Sequence, residues 1–152
     1  MKISKQQLQF SFDDKKYFRL PFLEFASGEY PDKEYSEDQY QLYVVRKNTQ
    51  VLYVGISESN IWNRWFNGGR GHVLINIYGE MIGRSSVGNS VVNEPHLCSI
   101  ELWTLSECIE YCRSTTSFKI NRYDIKDIEP IMIHKLKPKL NVIFNTNYSM
   151  AV

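Results

Sequence analysis

Four side chains along the sequence have the chemistry to act on a phosphodiester. Tyr43 and Tyr53 lie in two short apolar runs, and Arg64 follows in a stretch rich in tryptophan. Glu129 comes much later. Arginine donates two parallel hydrogen bonds to a phosphate, and a single carboxylate is enough to hold Mg²⁺ with its waters. Because the ordinary pKa of tyrosine is about 10, a tyrosine acts as a base only where nearby cations stabilise its phenolate.

A predicted β-hairpin positions the two tyrosines. The residues around them are β-branched or aromatic, as suits a half-buried pleated surface, and the polar residues 47–50 interrupt this pattern as a turn would. Gly55 ends the second strand, and Ser57 or Ser59 is the expected cap of a helix. Arg64 lies at the edge of that helix's apolar stripe. The stripe consists of Ile61, Trp62, Trp65 and Phe66.

Glu129 is expected in the first turn of a later helix. Asp127 is the predicted cap of this helix, and Pro130 is tolerated near a helix start. A carboxylate in a first turn is common simply because it complements the helix dipole, so its position alone does not indicate metal binding. Pro138 is expected to end the helix, and a short strand is predicted from residue 140 to residue 144.

The order and spacing of these pieces resemble the GIY-YIG nuclease superfamily, over roughly residues 41–145. The first strand motif stands here as Gln41-Leu42-Tyr43, so its Gly-Ile is replaced, and the second stands as Tyr53-Val54-Gly55. By this resemblance the helix arginine is Arg64, the metal-binding glutamate is Glu129 and the late asparagine is Asn141.

The resemblance implies a metal-dependent endonuclease that cleaves DNA with Mg²⁺ or Mn²⁺ bound at Glu129. It implies that Tyr43 helps to activate the water and that Tyr53 positions the water or the phosphate. It also implies that Asn141 braces the site. Family members often place a histidine shortly after the helix arginine, so His72 is expected to be catalytic.

Further substrate contacts are predicted near this helix and beyond it. The glycines within residues 67–72 would let the backbone approach a phosphate closely, and the alternative is a helix stop followed by a turn. Residues 73–82 are predicted to form a helix, and residues 83–93 a mobile loop. For each charged residue that is predicted to contact substrate, the alternative is a solvated surface position without a functional role. The expected substrate-binding residues are Gly55, Arg70, Arg84 and Lys137.

The predicted fold is α/β of the α+β type, with a small, mostly antiparallel central sheet flanked by helices. Residues 100–105 are the expected third strand, and Ser106 is the expected cap of the next helix. Residues 1–40 are predicted to be an extension, with an added β-hairpin from Leu8–Phe12 and Tyr17–Phe25 and an acidic loop. Residues 41–152 would then form the nuclease domain. Its net charge is +3 and that of the extension is −2.

The first residues of the sequence lack the apolar core of a signal peptide, and the number of cysteines, three, is odd, so we expect no disulfide framework. No apolar run approaches the roughly 20 residues that cross a bilayer, so a cytoplasmic protein without a membrane partner is expected. The cysteines have two interpretations. They could bind zinc together with His96, through Cys98, Cys108 and Cys112, or they could be buried as small hydrophobic residues.

Two other functions compete with DNA cleavage. One is a nucleic-acid-binding module that keeps the fold without catalysis, and the other is an adaptor built around structural zinc. RNA is not excluded as the substrate, because no feature of the sequence reads a 2′-hydroxyl. A homodimer is left open, since cutting both strands of a duplex needs two sites or two visits.

Overall fold

A computed structural model describes residues 8–10, 16–28, 40–57, 60–66, 70–115 and 124–141. A 3₁₀ turn occupies Pro95–Leu97. The strands and helices, in chain order, are β1 Leu8–Phe10, β2 Lys16–Pro21, α1 Phe22–Ala26, β3 Tyr40–Lys47, β4 Gln50–Ile56, α2 Ile61–Phe66, β5 Val73–Ile75, β6 Met81–Gly83, α3 Ser86–Asn93, β7 Cys98–Thr104, α4 Leu105–Thr115 and α5 Ile125–Leu136.

Within the described residues, five strands form the central sheet, in the order β1-β2-β7-β3-β4, and every neighbouring pair is antiparallel. The α+β class with a mostly antiparallel sheet is therefore confirmed. The β3–β4 hairpin is present as predicted, and the expected third strand is β7. The added N-terminal hairpin is also present, because β1 pairs with β2 and β2 pairs with β7. The connecting residues 11–15 of this hairpin lie outside the described residues.

The sheet separates two apolar cores. Leu102 and Trp103 are neighbours on β7, so their side chains point to opposite faces, and they belong to different buried clusters. Helices α1, α2 and α3 cover the face of Leu102, and α4 and α5 cover the face of Trp103. The face of Leu102 also carries both tyrosines of the predicted site.

The helix predicted over residues 73–82 is wrong, because β5 and β6 form a separate two-stranded hairpin there. Asn76 builds the turn: its Oδ1 accepts hydrogen bonds from the backbone of Tyr78 and Glu80 at 2.9 Å each. Gly79 follows with φ +80°, which few other residues adopt. An apolar run of this length suits a helix or a strand equally, and the turn residues decide between them.

The mobile loop predicted over residues 83–93 is also wrong. Gly83 ends β6, and residues 86–93 form the helix α3. Ser85 caps this helix, since its Oγ accepts a hydrogen bond from the Gly88 amide at 3.1 Å. Val87 and Val91 are one helical turn apart and are both buried, so packing stabilises a helix that contains Gly, Ser and Asn.

Several element boundaries differ from the prediction. Ser106, the expected cap of the helix after β7, lies inside α4, which begins at Leu105 and is capped by Thr104 through the Glu107 amide. The segment predicted as strand up to Phe25 ends at Pro21, where the chain turns into α1. The late helix begins at Ile125 instead of near residue 127, because Asp124 caps it by accepting from the Lys126 amide at 2.8 Å. Glu129 therefore lies in the second turn, and Pro130 lies inside the helix.

Several predicted features fall on parts of the chain that are not described. Residues 29–39 of the acidic loop, residues 67–69 of the glycine-rich stretch and residues 142–144 of the last predicted strand lie outside the described residues. Ser59 lies outside them as well, and the cap observed on α2 is Asn60, whose Oδ1 accepts from the Asn63 amide. None of the helices in the described ranges is long and apolar enough to cross a membrane.

Candidate active site

Tyr43 and Tyr53 lie side by side on the face of the sheet that α1, α2 and α3 cover. Their rings stack with centroids 6.2 Å apart and an interplanar angle of 29°. Tyr43 belongs to the inner strand β3 and is 1% exposed, whereas Tyr53 belongs to β4 at the edge of the described sheet and is only half-buried. A molecule that approaches from solvent therefore meets Tyr53 first.

Gly55 makes room for the Tyr43 ring. The two residues are opposite each other in the β3–β4 ladder. A Cβ placed on Gly55 would lie 2.3 Å from both Cζ and Oη of Tyr43, far inside van der Waals contact. The structure thus gives Gly55 a packing role, and its predicted role as a substrate contact stays a prediction.

The hydroxyl of Tyr43 contacts His72. Tyr43 Oη and His72 Nε2 are 2.9 Å apart and form a buried hydrogen bond. The indole of Trp65, on α2, packs against both rings, with its centroid 4.6 Å from that of His72 and 5.7 Å from that of Tyr43. Trp65 is fully buried, so the phenol and the imidazole meet in an apolar pocket.

Burial keeps this pair uncharged. It is the main cause of the raised pKa of Tyr43, and the neighbouring Tyr53 raises that pKa further. Burial, together with the charge of Arg64, lowers the pKa of His72 to about 4. At neutral pH the site therefore contains a neutral phenol hydrogen-bonded to a neutral imidazole.

Arg64 and Glu129 bring opposite charges to the tyrosines from different elements. The Arg64 guanidinium acts to lower the pKa of both tyrosines, and the Glu129 carboxylate acts to raise both. Each charge consequently acts on both tyrosines. Arg64 is held in place by the carbonyl oxygen of Arg70, which accepts from Nη1 at 3.1 Å. Glu129 is half-buried on α5, and desolvation raises the pKa of its carboxyl group.

Asn141 braces the strand that carries Tyr53. Its Oδ1 accepts from the Val54 amide and its Nδ2 donates to the Val54 carbonyl, each at 2.8 Å. The backbone amides of Lys139 and Leu140 donate to the carbonyls of Val51 and Leu52. The residues 139–141 thus continue the hydrogen bonding of the sheet along the outer edge of β4. The predicted role of Asn141 in bracing a catalytic site stays a prediction.

The predicted substrate contacts occupy different places. Arg70 is exposed beside the Arg64 guanidinium. Arg84 is exposed, and its amide donates to the His72 carbonyl at 2.8 Å, so both residues border the site. Lys137 is exposed at the end of α5 in a left-handed conformation with φ 48°. Helix geometry separates it from Glu129 by about 12 Å along the axis.

The described residues do not support the zinc alternative. Cys98 packs in the cluster with Leu102, whereas Cys108 and Cys112 pack in the cluster on the other face of the sheet. All three cysteines lie within the described residues, are buried and form no disulfide. Among the described residues, no group of three or more His, Cys, Asp or Glu side chains is arranged to hold a metal ion.

The residues present at the site nevertheless fit Mg²⁺ or Mn²⁺. These hard cations prefer oxygen ligands, and Mg²⁺ often takes only one or two carboxylates together with waters and substrate oxygens. Glu129 supplies one half-buried carboxylate, whose charge acts to raise the pKa of Tyr53. A bound cation would offset the desolvation that raises the pKa of Glu129.

Sequence reasoning missed Ser85, whose Oγ lies 2.8 Å from His72 Nδ1. A serine followed by Val87 and Val91 at helical spacing was an available signal of a helix cap, although not of the histidine contact.

The site as a whole joins a neutral phenol–imidazole pair to one guanidinium and one carboxylate, a set able to move a proton and bind an anion. In comparisons with known proteins, no family model, curated protein or solved structure matched this chain.

Proposed function

We propose that this protein is a metal-dependent endonuclease that hydrolyses phosphodiester bonds in DNA. One observation carries the proposal: the buried Tyr43–His72 hydrogen bond lies beside Tyr53, and the charges of Arg64 and Glu129 act on both tyrosines. Packing alone gives no reason to place a guanidinium and a half-buried carboxylate around one stacked pair of tyrosines.

The Tyr43–His72 pair would activate the water. A free phenolate is unfavourable at Tyr43 because burial raises its pKa. A coupled transfer avoids this ion: Tyr43 Oη takes a proton from the water while the hydroxyl proton of Tyr43 passes to His72 Nε2. The resulting hydroxide attacks phosphorus as the bond to the leaving oxygen breaks. The leaving oxygen takes a proton from solvent, and the imidazolium returns its proton through Tyr43 to solvent. Water and phosphodiester thus become an alcohol and a phosphomonoester.

Arg64 and Tyr53 would hold the phosphate. Arg64 is permanently charged and suits bidentate contact with two phosphate oxygens. Tyr53 is more exposed than Tyr43, so it is the tyrosine that positions the phosphate or the water. A divalent cation held by Glu129 would neutralise charge on the phosphate and stabilise the leaving oxygen. The exposed Arg70 and Arg84 would contact neighbouring phosphates.

A DNA-binding module without catalysis is the second candidate. The observation that favours it is the burial of Tyr43, whose side chain is 1% exposed. If no water reaches its hydroxyl, the pair with His72 serves only to stabilise the core. Arg64, Arg70 and Arg84 would then bind the phosphate backbone without cleavage.

Cleavage of supercoiled plasmid with and without Mg²⁺ tests the proposal. The variants are Arg64→Gln, Glu129→Gln and Tyr43→Phe, each compared at equal folded fraction. Glu110→Gln changes an exposed glutamate on α4 and is the matched control for Glu129, and Tyr78→Phe changes a tyrosine that is 81% exposed and is the control for Tyr43.

Metal-dependent nicking or linearisation by the native protein and by both controls is expected. A loss of about 10²-fold or more is expected in the three site variants. Native protein that binds DNA yet leaves plasmid, short duplex and branched DNA intact would refute the nuclease and favour the binding module. A parallel set of RNA substrates decides between the two nucleic acids, and the oligomeric state on duplex DNA shows whether two copies act together.

A further inference from the structure

Ser85 makes two contacts through one oxygen atom. Its Oγ caps α3 by accepting from the Gly88 amide at 3.1 Å, and the same oxygen lies 2.8 Å from Nδ1 of His72. The imidazole is therefore bound on both sides, with Ser85 at Nδ1 and Tyr43 at Nε2. The N-terminus of α3 is thereby joined to the buried phenol through one histidine ring.

The backbone of His72 is held by the same segment. Its carbonyl oxygen accepts from the Arg84 amide at 2.8 Å. Gly88 packs so closely against it that a Cβ on Gly88 would lie 1.9 Å from the His72 carbonyl oxygen. Residues 84–88 therefore hold both the ring and the main chain of His72, which leaves little freedom to rotate the imidazole.

A count of hydrogens indicates which ring nitrogen carries the proton. Among the described residues, His72 Nε2 is the hydrogen-bond partner of the Tyr43 hydroxyl. If Nε2 carried the hydrogen, the buried hydroxyl of Tyr43 would have to accept, and its own hydrogen would lack a described acceptor. With the hydrogen on Nδ1, Tyr43 donates to Nε2 and Nδ1 donates to Ser85. Ser85 is only partly buried, so its own hydroxyl hydrogen can reach solvent.

We infer that Ser85 is a positioning residue that fixes His72 as the Nδ1–H tautomer, with the lone pair of Nε2 directed at the Tyr43 hydroxyl. The catalytic consequence rests on the proposed function, because only this tautomer can accept the proton of Tyr43. After that transfer, Nδ1–H still donates to Ser85, so the imidazolium keeps a hydrogen bond on each side. The assignment of the tautomer itself does not depend on nuclease activity.

Three substitutions separate this role from helix capping. Ser85→Gly and Ser85→Ala both remove the hydroxyl, but glycine is a much better N-cap than alanine, so the two variants differ in helix stability. Ser85→Thr keeps both the hydroxyl and the cap. An effect caused by loss of the hydroxyl group should therefore appear in both the Gly and the Ala variant and be absent from the Thr variant. An effect caused by loss of the helix cap should be large in the Ala variant and small in the Gly variant.

The first measurement is the tautomer, read from the ¹⁵N chemical shifts of the His72 ring. We expect Nδ1–H in the native protein and in Ser85→Thr, and a mixture of tautomers in Ser85→Gly. The second is cleavage kinetics, where kcat should fall about 10-fold or more in Ser85→Gly and Ser85→Ala with KM little changed. Ser85→Thr should recover kcat to within about threefold.

The Nε2–H tautomer in the native protein, or the same tautomer in native protein and Ser85→Gly, would overturn the inference whatever the activity. If kcat falls only in Ser85→Ala, Ser85 acts only as a helix cap and the inference is refuted. Native protein that cleaves no nucleic acid would refute the proposed function instead, and the ring shifts would still decide whether Ser85 sets the tautomer.

Discussion

Mild acid should destabilise this protein through His72. The side chain is 5% exposed, and burial with the charge of Arg64 lowers its pKa to about 4 from the ordinary value of 6.5. The unfolded chain takes up this proton near the ordinary value, whereas the folded protein takes it up only near pH 4. Between these two values the unfolded state binds more protons, so the free energy of unfolding falls as the pH is lowered.

The size of the effect follows from the two pKa values. Their difference of about 2.5 corresponds to about 3 kcal/mol of unfolding free energy when the effect is complete. About 1.4 kcal/mol of this is lost between about pH 7.5 and about pH 5.5, before most carboxylates titrate. The loss approaches its full size as the pH falls below about 4 and does not grow further in stronger acid.

Urea unfolding at several pH values would measure this loss of unfolding free energy in the native protein, in His72→Gln and in His134→Gln. Glutamine keeps hydrogen-bonding ability without titrating, and His134 is an exposed histidine on α5. Between about pH 7.5 and about pH 5.5 the native protein and the His134 variant should each lose about 1.4 kcal/mol more than His72→Gln. Parallel curves for all three proteins, or a His72 ring that titrates near its ordinary pKa, would refute the reasoning.

Three further predictions concern buried groups on the two faces of the sheet. Asn141→Ala leaves the amide and carbonyl of Val54 without their partner, so urea unfolding should show a loss of about 2–4 kcal/mol; a loss below about 0.5 kcal/mol would contradict it. Gly55→Ala should cost about 2–4 kcal/mol and change the near-UV circular dichroism of Tyr43, whose ring it displaces; an unchanged spectrum would count against this packing. Because burial raises the pKa of Cys112 to about 11, its thiol should react with a disulfide reagent only as the protein unfolds, and rapid labelling of native protein would disagree.

Local patterns predicted part of the fold. The β3–β4 hairpin could be read from alternating β-branched and aromatic residues on either side of a polar turn. The hairpin of β5 and β6 could not be read from hydrophobicity, because its apolar run is compatible with a helix, and the decisive signal lay in Asn76 and Gly79. Helix α3 is rich in residues typical of loops and depends on the Ser85 cap and on tertiary burial of Val87.

The candidate site was predictable only as a set of residue types. The order of Tyr43, Tyr53, Arg64 and Glu129 in the chain suggested that they act together, and in the structure the charges of Arg64 and Glu129 both act on the two tyrosines. Ser85 could not be identified as part of this set, since its contact with His72 exists only after β5, β6 and α3 have folded back onto the sheet. Contacts of this kind depend on tertiary structure and leave no local pattern.

Strand β7 lies between β2 and β3, although it is the last of the described strands along the chain. During translation a ribosome therefore exposes β2 and β3 well before the strand that joins them, and the edges of both are unpaired in the meantime. The brace is made later still, because Asn141 follows Val54 by 87 residues. A nascent chain thus cannot complete the tyrosine site until every described strand of the sheet has been synthesised.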